Sequence, residues 1–354
     1  MIRILELFGG IGGFAYGIEK ALGKEKYEIA GYYDNDKYAT AVFNYNFSTK
    51  YEPTDIRQVD ENDIPRHDLL CAGFPCQAFS IAGKRRGFED TRGTLFFEIA
   101  RVLQAKKPPY FLLENVKGLL SHQEGKTFRI ILQTLDELGY DLQWMVLNSK
   151  FFGVSQNRER VFIIGNLRGK PRPEILPFRE NAGEVQEVSG EEIVSSAITT
   201  ENAHAYGNTM TCGQTLAIAR CLDANMWKGA TPKEYFEKSK RNIVMIMDYR
   251  SDEGFRIRKN RISPTLTSHS DSVGGVPIPM IFDMKLRRLR RLTPLECERL
   301  QGFPDNWTKY GYFVDKNEIR KISDTQRYKM LGNAVTVNVI ENLIKKWFAD
   351  AVEG

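Results

Sequence analysis

Ile2-Arg3-Ile4-Leu5-Glu6-Leu7-Phe8-Gly9-Gly10-Ile11-Gly12-Gly13-Phe14 decides the fold. An apolar run of strand length meets a glycine loop. The loop enters a segment with Phe14, Ile18, Ala21 and Leu22 on one helical face. Strand, glycine loop and helix open a nucleotide-type βαβ unit. The glycines let backbone approach a ligand closely and let the helix pack on the strand. Their spacing differs from Gly-x-Gly-x-x-Gly, so a dinucleotide is not the first expectation.

A second strand at 27–33 ends at Asp34-Asn35-Asp36. An acidic residue there commonly accepts from a ribose diol, which makes Asp34 the ribose candidate. Asp36 is better placed to cap the amphipathic segment 38–47. Asp55 and Ile56 are candidates for the edge of an adenine pocket. A third apolar run, Asp68-Leu69-Leu70-Cys71-Ala72, stops at Gly73-Phe74-Pro75-Cys76-Gln77-Ala78-Phe79-Ser80. Cys76 therefore sits just past a strand end, where α/β sheets bind ligands. Its basic neighbours favour the thiolate. From local features, a nucleophile and a small buried hydrophobe are equally open readings. Cys71, Cys212, Cys221 and Cys297 read as buried hydrophobes. The polar stretch 81–92, with Gly83, Gly87, Lys84, Arg85, Arg86 and Arg92, reads as a loop that closes on an anion.

Residues 93–104 have a helical apolar stripe, and a buried strand at 110–113 ends at Glu114-Asn115-Val116. A carboxylate at a strand tip beside a nucleophile at the next tip suits acid–base work, although Glu114 as an ion-pair or capping residue is an equal alternative. A helix at 128–138 and strands at 141–147 and 161–164 follow, with Gln156-Asn157-Arg158-Glu159-Arg160 between those strands. This alternation predicts an α/β fold with a Rossmann-like doubly wound, mostly parallel sheet. Residues 168–285 then shift to prolines, glycines and short β-like runs, the expected second, smaller and irregular domain. Arg256, Arg258, Lys259 and Arg261 fall within six positions there, and Lys285, Arg287, Arg288, Arg290 and Arg291 within seven. Clusters of this density point to a phosphate-backbone surface. Thr293 and Pro294 start a helix. Gly332-Asn333-Ala334-Val335 precedes a final helix with Val339, Leu343 and Trp347 on one face.

The 354 residues are 42% hydrophobic and 27% charged, the balance of a globular chain with ample core. Five scattered cysteines without a CxxC pair argue against zinc and against a disulfide framework. The first residues read directly into a strand, so no signal peptide is expected, and no run reaches membrane-spanning length. A net charge of +5 permits nucleic-acid binding without requiring it.

The whole chain resembles the prokaryotic DNA (cytosine-5) methyltransferases of restriction-modification systems. The resemblance rests on residues 8–14, Gly73 through Gln77, Glu114-Asn115-Val116, residues 156–160, Arg291-Leu292-Thr293-Pro294 with Glu296 and Cys297, and Gln326 with Gly332 through Val335, in that order. It covers residues 1 to about 166 and about 285 to 354. It implies a catalytic domain at 1–167 and 323–354 and a target-recognition domain at 168–322. It implies S-adenosyl-L-methionine as cofactor and S-adenosyl-L-homocysteine as product. Phe8, Gly10, Ile11, Gly12, Gly13, Asp34, Asn35, Asp55, Ile56, Pro75, Asn333 and Val335 would hold the cofactor. Cys76 is implied as nucleophile, with Glu114, Arg158 and Arg160 completing the catalytic set, and no metal. Double-stranded DNA would meet Gln77, Ser80, Lys84, Arg85, Arg92, Arg256, Arg258, Thr265 and Leu266. The family setting further implies a bacterial, cytoplasmic, DNA-associated monomer, with a cognate restriction endonuclease as possible partner and no membrane. Two alternatives stay open at this point: a tRNA cytosine-5 methyltransferase, and a DNA-binding protein without turnover.

Overall fold

The computed structural model describes residues 1–74, 95–171, 173–175, 244–250, 254–257, 263–264, 278–283 and 288–348, with backbone alone between 244 and 290. The strands are β1 (Ile2–Leu7), β2 (Tyr27–Tyr33), β3 (Leu69–Gly73), β4 (Tyr110–Val116), β5 (Tyr140–Asn148), β6 (Gln156–Asn157), β7 (Glu159–Leu167), β8 (Val244–Arg250), β9 (Gly254–Ile257), β10 (Ser263–Pro264), β11 (Ile278–Asp283), β12 (Arg288–Arg291), β13 (Tyr310–Phe313) and β14 (Glu318–Lys321). The α-helices are α1 (Gly13–Leu22), α2 (Lys37–Phe47), α3 (Leu95–Lys106), α4 (Lys126–Glu137), α5 (Pro294–Leu300), α6 (Asp324–Asn333) and α7 (Val337–Trp347).

Six strands form the central sheet in the order β2-β1-β3-β4-β7-β5. The first four are parallel neighbours, and β7 runs antiparallel between β4 and β5. The expected mostly parallel sheet is present. Alternation along each strand splits its side chains between two cores. Ile4, Cys71, Leu112 and Phe162 face α1 and α7, whereas Leu5, Ala72, Leu113 and Val161 face α3 and α4. Helices therefore cover both faces, as near-continuous apolar strands require. At the sheet's centre, Phe111 lies opposite Gly165, and its ring fills the place a side chain would take.

Residues 244–291 add a four-stranded antiparallel sheet, β12-β11-β8-β9. Of the β-like run at 243–247 that the sequence marked, residues 244–247 fall on β8. β10 pairs with β6 and ties this region to the segment before β7.

A third core joins distant parts of the chain. Leu292, Cys297, Leu300, Phe303, Trp307 and Ile322 pack with Ile11 of the glycine loop and with Ala39 and Val42 of α2. Residues 292–322 thus share a core with the first βαβ unit, although the sequence reading grouped them with the recognition domain. The composition shift itself ends near 285; the boundary at 322 comes with the domain division that the resemblance implies. Thr293 caps α5 in a full capping box with Glu296, as its sequence predicts. Glu298, with no exposed surface, accepts from the Asn306 and Thr308 amides at 2.8 Å each and from Arg327 at 3.0 Å. That carboxylate fixes the 301–308 turn between α5 and α6.

Breaking this buried pair should strand its anion. Arg327→Met is expected to cost about 3–5 kcal/mol in denaturant unfolding, and Glu298→Gln added to it should return part of that loss. Additive losses in the double variant would show that the pair is not coupled.

Candidate active site

Among the described residues, the candidate side chains gather at the carboxyl ends of β1, β2, β3 and β4 and at the start of β7. Phe8 follows β1 with φ +55, a conformation strained for a residue with a side chain. The Phe8 and Gly9 amides both donate to the Tyr33 carbonyl at the end of β2. The four glycines that follow do different things. Side chains at Gly9, Gly12 and Gly13 would come within 2.6 Å of Tyr32, 2.3 Å of Phe47 and 2.6 Å of Val335. Gly10, at φ +56, has open space where a Cβ would stand. Three glycines permit close packing, and one presents bare backbone to whatever lies above the loop.

Asp34 and Asp36 divide their work partly as the sequence suggests. Asp36 caps α2 through the Tyr38 and Ala39 amides and pairs with Lys329 of α6 at 2.8 Å. Asp34 accepts from the Gly10 amide at 2.9 Å and from the Asp36 amide at 2.8 Å. Its carboxylate latches the glycine loop to the tip of β2 and lies beside the open face of Gly10. Burial raises its pKa, and the two backbone amides pull it back down. Asn35 is exposed beside it. Asp55 caps a short 3-10 turn and pairs with Arg57, while Ile56 is buried in the core.

The tips of β3 and β4 lie side by side. Gly73 ends β3 directly beside Glu114 of β4. A Cβ on Gly73 would stand 3.5 Å from Glu114 Oε2, 3.7 Å from Phe14 and 3.8 Å from Val335. One point thus gathers the β3 tip, the β4 carboxylate, the helix after the glycine loop and the C-terminal segment. Arg160 of β7 holds Glu114 Oε1 with Nε at 2.9 Å, and both are largely buried. Asn115, which the sequence offered without a role, donates to the Phe74 carbonyl at 2.8 Å. It fixes the backbone two positions before Cys76.

Arg158 points the other way from Arg160. It is 2% exposed and donates to the carbonyls of Gly332 at 3.2 Å and Ala334 at 2.8 Å. Burial and then the like charge of Arg160 bring its pKa down to about 9, while Glu114 acts in the opposite direction. It stays protonated at neutral pH and anchors the chain entering α7. Gly332 and Asn333 form the last turn of α6 rather than a loop before the final helix, and Thr336 is the residue that precedes α7. Asn333 is exposed, whereas Val335 is buried against Gly13. Sequence reasoning missed Trp307, whose indole N–H donates to the Ile11 carbonyl at 2.9 Å. Nothing local marks it, because its partner lies almost three hundred residues away.

Pro75, Cys76, Gln77, Ser80, Lys84, Arg85, Arg92, Arg258, Thr265 and Leu266 lie outside the described residues. Arg256 lies on β9, opposite Asp248 of β8.

A family model for C-5 cytosine-specific DNA methylases matches residues 2–349. The chain is 35% identical over 352 residues to the Type II methyltransferase M.SsoII of Shigella sonnei, covering 97% of this chain and 79% of that protein. It is 34% identical over 346 residues to the Type II methyltransferase M.HhaI of Haemophilus parahaemolyticus, covering 96% and 92%. Among solved structures, the S. pombe Dnmt2 methyltransferase superposes with a TM-score of 0.61 at 21% identity, covering 98% of this chain and 97% of that one. A putative DNA modification methyltransferase encoded within an E. coli prophage gives 0.60 at 18%, covering 99% of each. These two speak for the fold.

Asn115→Leu removes the Phe74 carbonyl's partner without opening a cavity. We expect a loss of about 1–3 kcal/mol in denaturant unfolding, the cost of an unsatisfied buried acceptor. An unchanged midpoint would mean that this carbonyl finds another donor.

Proposed function

Because the chain belongs to the C-5 cytosine-specific DNA methylase family, we propose that it methylates carbon 5 of a flipped-out cytosine in a short, specific double-stranded DNA sequence, through a covalent bond from Cys76 to C6. The enzyme is a DNA (cytosine-5) methyltransferase of the restriction-modification type. The observation that carries the mechanism is the Glu114–Arg160 pair set against Gly73, three residues before Cys76.

Carbon 5 of cytosine is a poor nucleophile. A thiolate adding at C6 places electron density on C5 and charge on N3. Glu114, entering this step in its protonated form, would hydrogen-bond or protonate N3 as Cys76 adds, and would take that proton back as the thiolate leaves. Arg160, already on Oε1, would then hold the carboxylate that remains and face the cytosine O2. Loss of the C5 proton and expulsion of the Cys76 thiolate would release 5-methylcytosine. A stacked base hides C6, so the cytosine must leave the helix, at a cost on the order of a few kcal/mol. The 77–92 loop, with Gln77, Ser80, Lys84, Arg85 and Arg92, would close over the DNA.

The cofactor proposed is S-adenosyl-L-methionine, which when bound supplies the electrophilic methyl group and leaves as S-adenosyl-L-homocysteine. The cradle suits it. Gly10 presents open backbone, Asp34 lies beside that opening, and Phe14 and Val335 close the side toward Glu114. Asp34 would hold the ribose while keeping the loop latched. Phe8, Ile11, Gly12, Gly13, Asn35, Asp55, Ile56, Pro75 and Asn333 would complete the pocket's walls and supports. Residues between Ile175 and Leu292, with Arg256, Arg258, Thr265 and Leu266, would form the recognition domain. Protection of host DNA from a cognate endonuclease is the proposed role.

Transfer of labelled methyl to unmethylated duplex DNA, followed by bisulfite sequencing, tests this reading. We expect 5-methylcytosine in one recurring sequence context. Cys76→Ala should abolish transfer, and Glu114→Gln should slow it by about 10²–10⁴-fold while duplex binding persists. Transfer to tRNA instead of DNA, or full transfer by Cys76→Ala, would overturn the proposal.

A further inference from the structure

Glu6 is a buried carboxyl group within the sheet that the chemistry above does not use. It lies on β1 with no exposed surface, between Tyr32 of β2 and Cys71 of β3. Oε1 accepts the Ala15 amide at 2.6 Å, in the first turn of α1. Oε2 is buried without a hydrogen-bond partner, 2.8 Å from where a Cβ on Gly9 would stand. The glycine loop is therefore gripped at both ends by one side chain: Gly9 rests against it, and Ala15 is bonded to it. Between them lies Gly10, whose backbone faces open space.

The two protonation states of Glu6 make different demands on that loop. A carboxylic acid here leaves one neutral hydroxyl without a partner. A carboxylate here has one donor for two oxygens, and a buried, under-solvated charge is costly. Burial pushes the Glu6 carboxyl up to about 8, the Ala15 amide pulls against that, and the charge of Asp34 adds to it. The other groups facing it are Tyr27 and Tyr32 of β2, Tyr51 after α2 and Cys71 of β3. Each of these is itself pushed upward by burial, away from neutral pH. The cheapest relief for an ionised Glu6 is movement of the loop, which admits water to Oε2.

We propose that Glu6 is a positioning residue whose neutral form holds the glycine loop in the shape the cofactor needs and whose ionisation releases that loop. The proposal rests on the reading that S-adenosyl-L-methionine binds across the loop. The sign follows from linkage. The folded-state value lies above the ordinary 4.5, so the folded protein keeps the proton through neutral pH and loses it as pH rises through about 8. Folding stability contributed by this group falls as pH rises from the ordinary 4.5 to about 8 and is level above that.

Calorimetric binding of S-adenosyl-L-homocysteine to the full chain without DNA, from pH 6.5 to 9.5, tests the proposal. Glu6→Gln keeps the shape and the acceptor for Ala15 but cannot ionise. Wild-type affinity should fall about tenfold relative to Glu6→Gln across the alkaline end, with the two similar at pH 6.5. Titration of the ligand's own amine is common to both proteins and cancels. Asp34→Asn should weaken binding at every pH yet leave an alkaline fall in place. Hydrogen exchange of amides 10–15, corrected for intrinsic rates, should show protection lost above about pH 8 in wild type and kept in Glu6→Gln. Parallel pH profiles for the two proteins, with equal protection, would overturn the proposal. Absence of ligand binding by wild type at any pH would overturn the cofactor reading instead, and the exchange result would still decide the role of Glu6 in the loop.

Discussion

The structure depends on Val335 lying directly over Gly13. A Cβ at Gly13 would come within 2.6 Å of the Val335 side chain, so the loop after β1 and the segment entering α7 occupy adjoining space with no residue to spare. Other contacts reinforce that closure. Trp307 bonds to the Ile11 carbonyl, Lys329 to Asp36, and Arg158 to the carbonyls of Gly332 and Ala334. Gly17 lets α1 sit equally close to Ile340 of α7. Each contact joins one of the first two βαβ elements, or Arg158 just before β7, to residues between 307 and 340. The site stands where these lines cross.

Charge is handled differently at the two arginines near that crossing. Arg158 spends its donors on backbone carbonyls and works as a fixed strut. Arg160 meets Glu114, a carboxylate with one oxygen paired and the other turned toward Gly73. A buried ion pair is weak support for stability, since desolvation offsets most of its attraction. Its value here is electrostatic: a positive charge already held in place beside a buried carboxyl group needs no reorganisation to meet it.

Much of this was legible in the sequence because it is local. The β1–glycine loop–α1 unit, the Asp36 cap, the Thr293 cap with Pro294, and Glu114 at a strand tip all follow from patterns within a dozen residues. The antiparallel course of β7 was not legible, since an apolar run carries no direction. The place of residues 292–322 was hidden for another reason. Their core partners, Ile11, Ala39 and Val42, lie on the far side of the recognition region in sequence. The different duties of the four glycines were also invisible, because packing against Tyr32, Phe47 and Val335 is a tertiary fact. Gly332 and Asn333 read as a loop from composition, yet tertiary contacts carry α6 through them.

The closure of Val335 over Gly13 also sets an order of events in synthesis. Elements up to β7 can collapse as they emerge, since their contacts are mostly between successive strands and helices. The loop after β1 acquires its roof only when more than three hundred further residues have been made. Contacts of such separation are slow to form and leave their apolar surfaces uncovered meanwhile. A nascent chain that has reached β12 holds a nearly finished sheet with an unroofed cradle. Until α7 docks on α1, that cradle lacks both the Val335 side chain and the carbonyls that Arg158 holds.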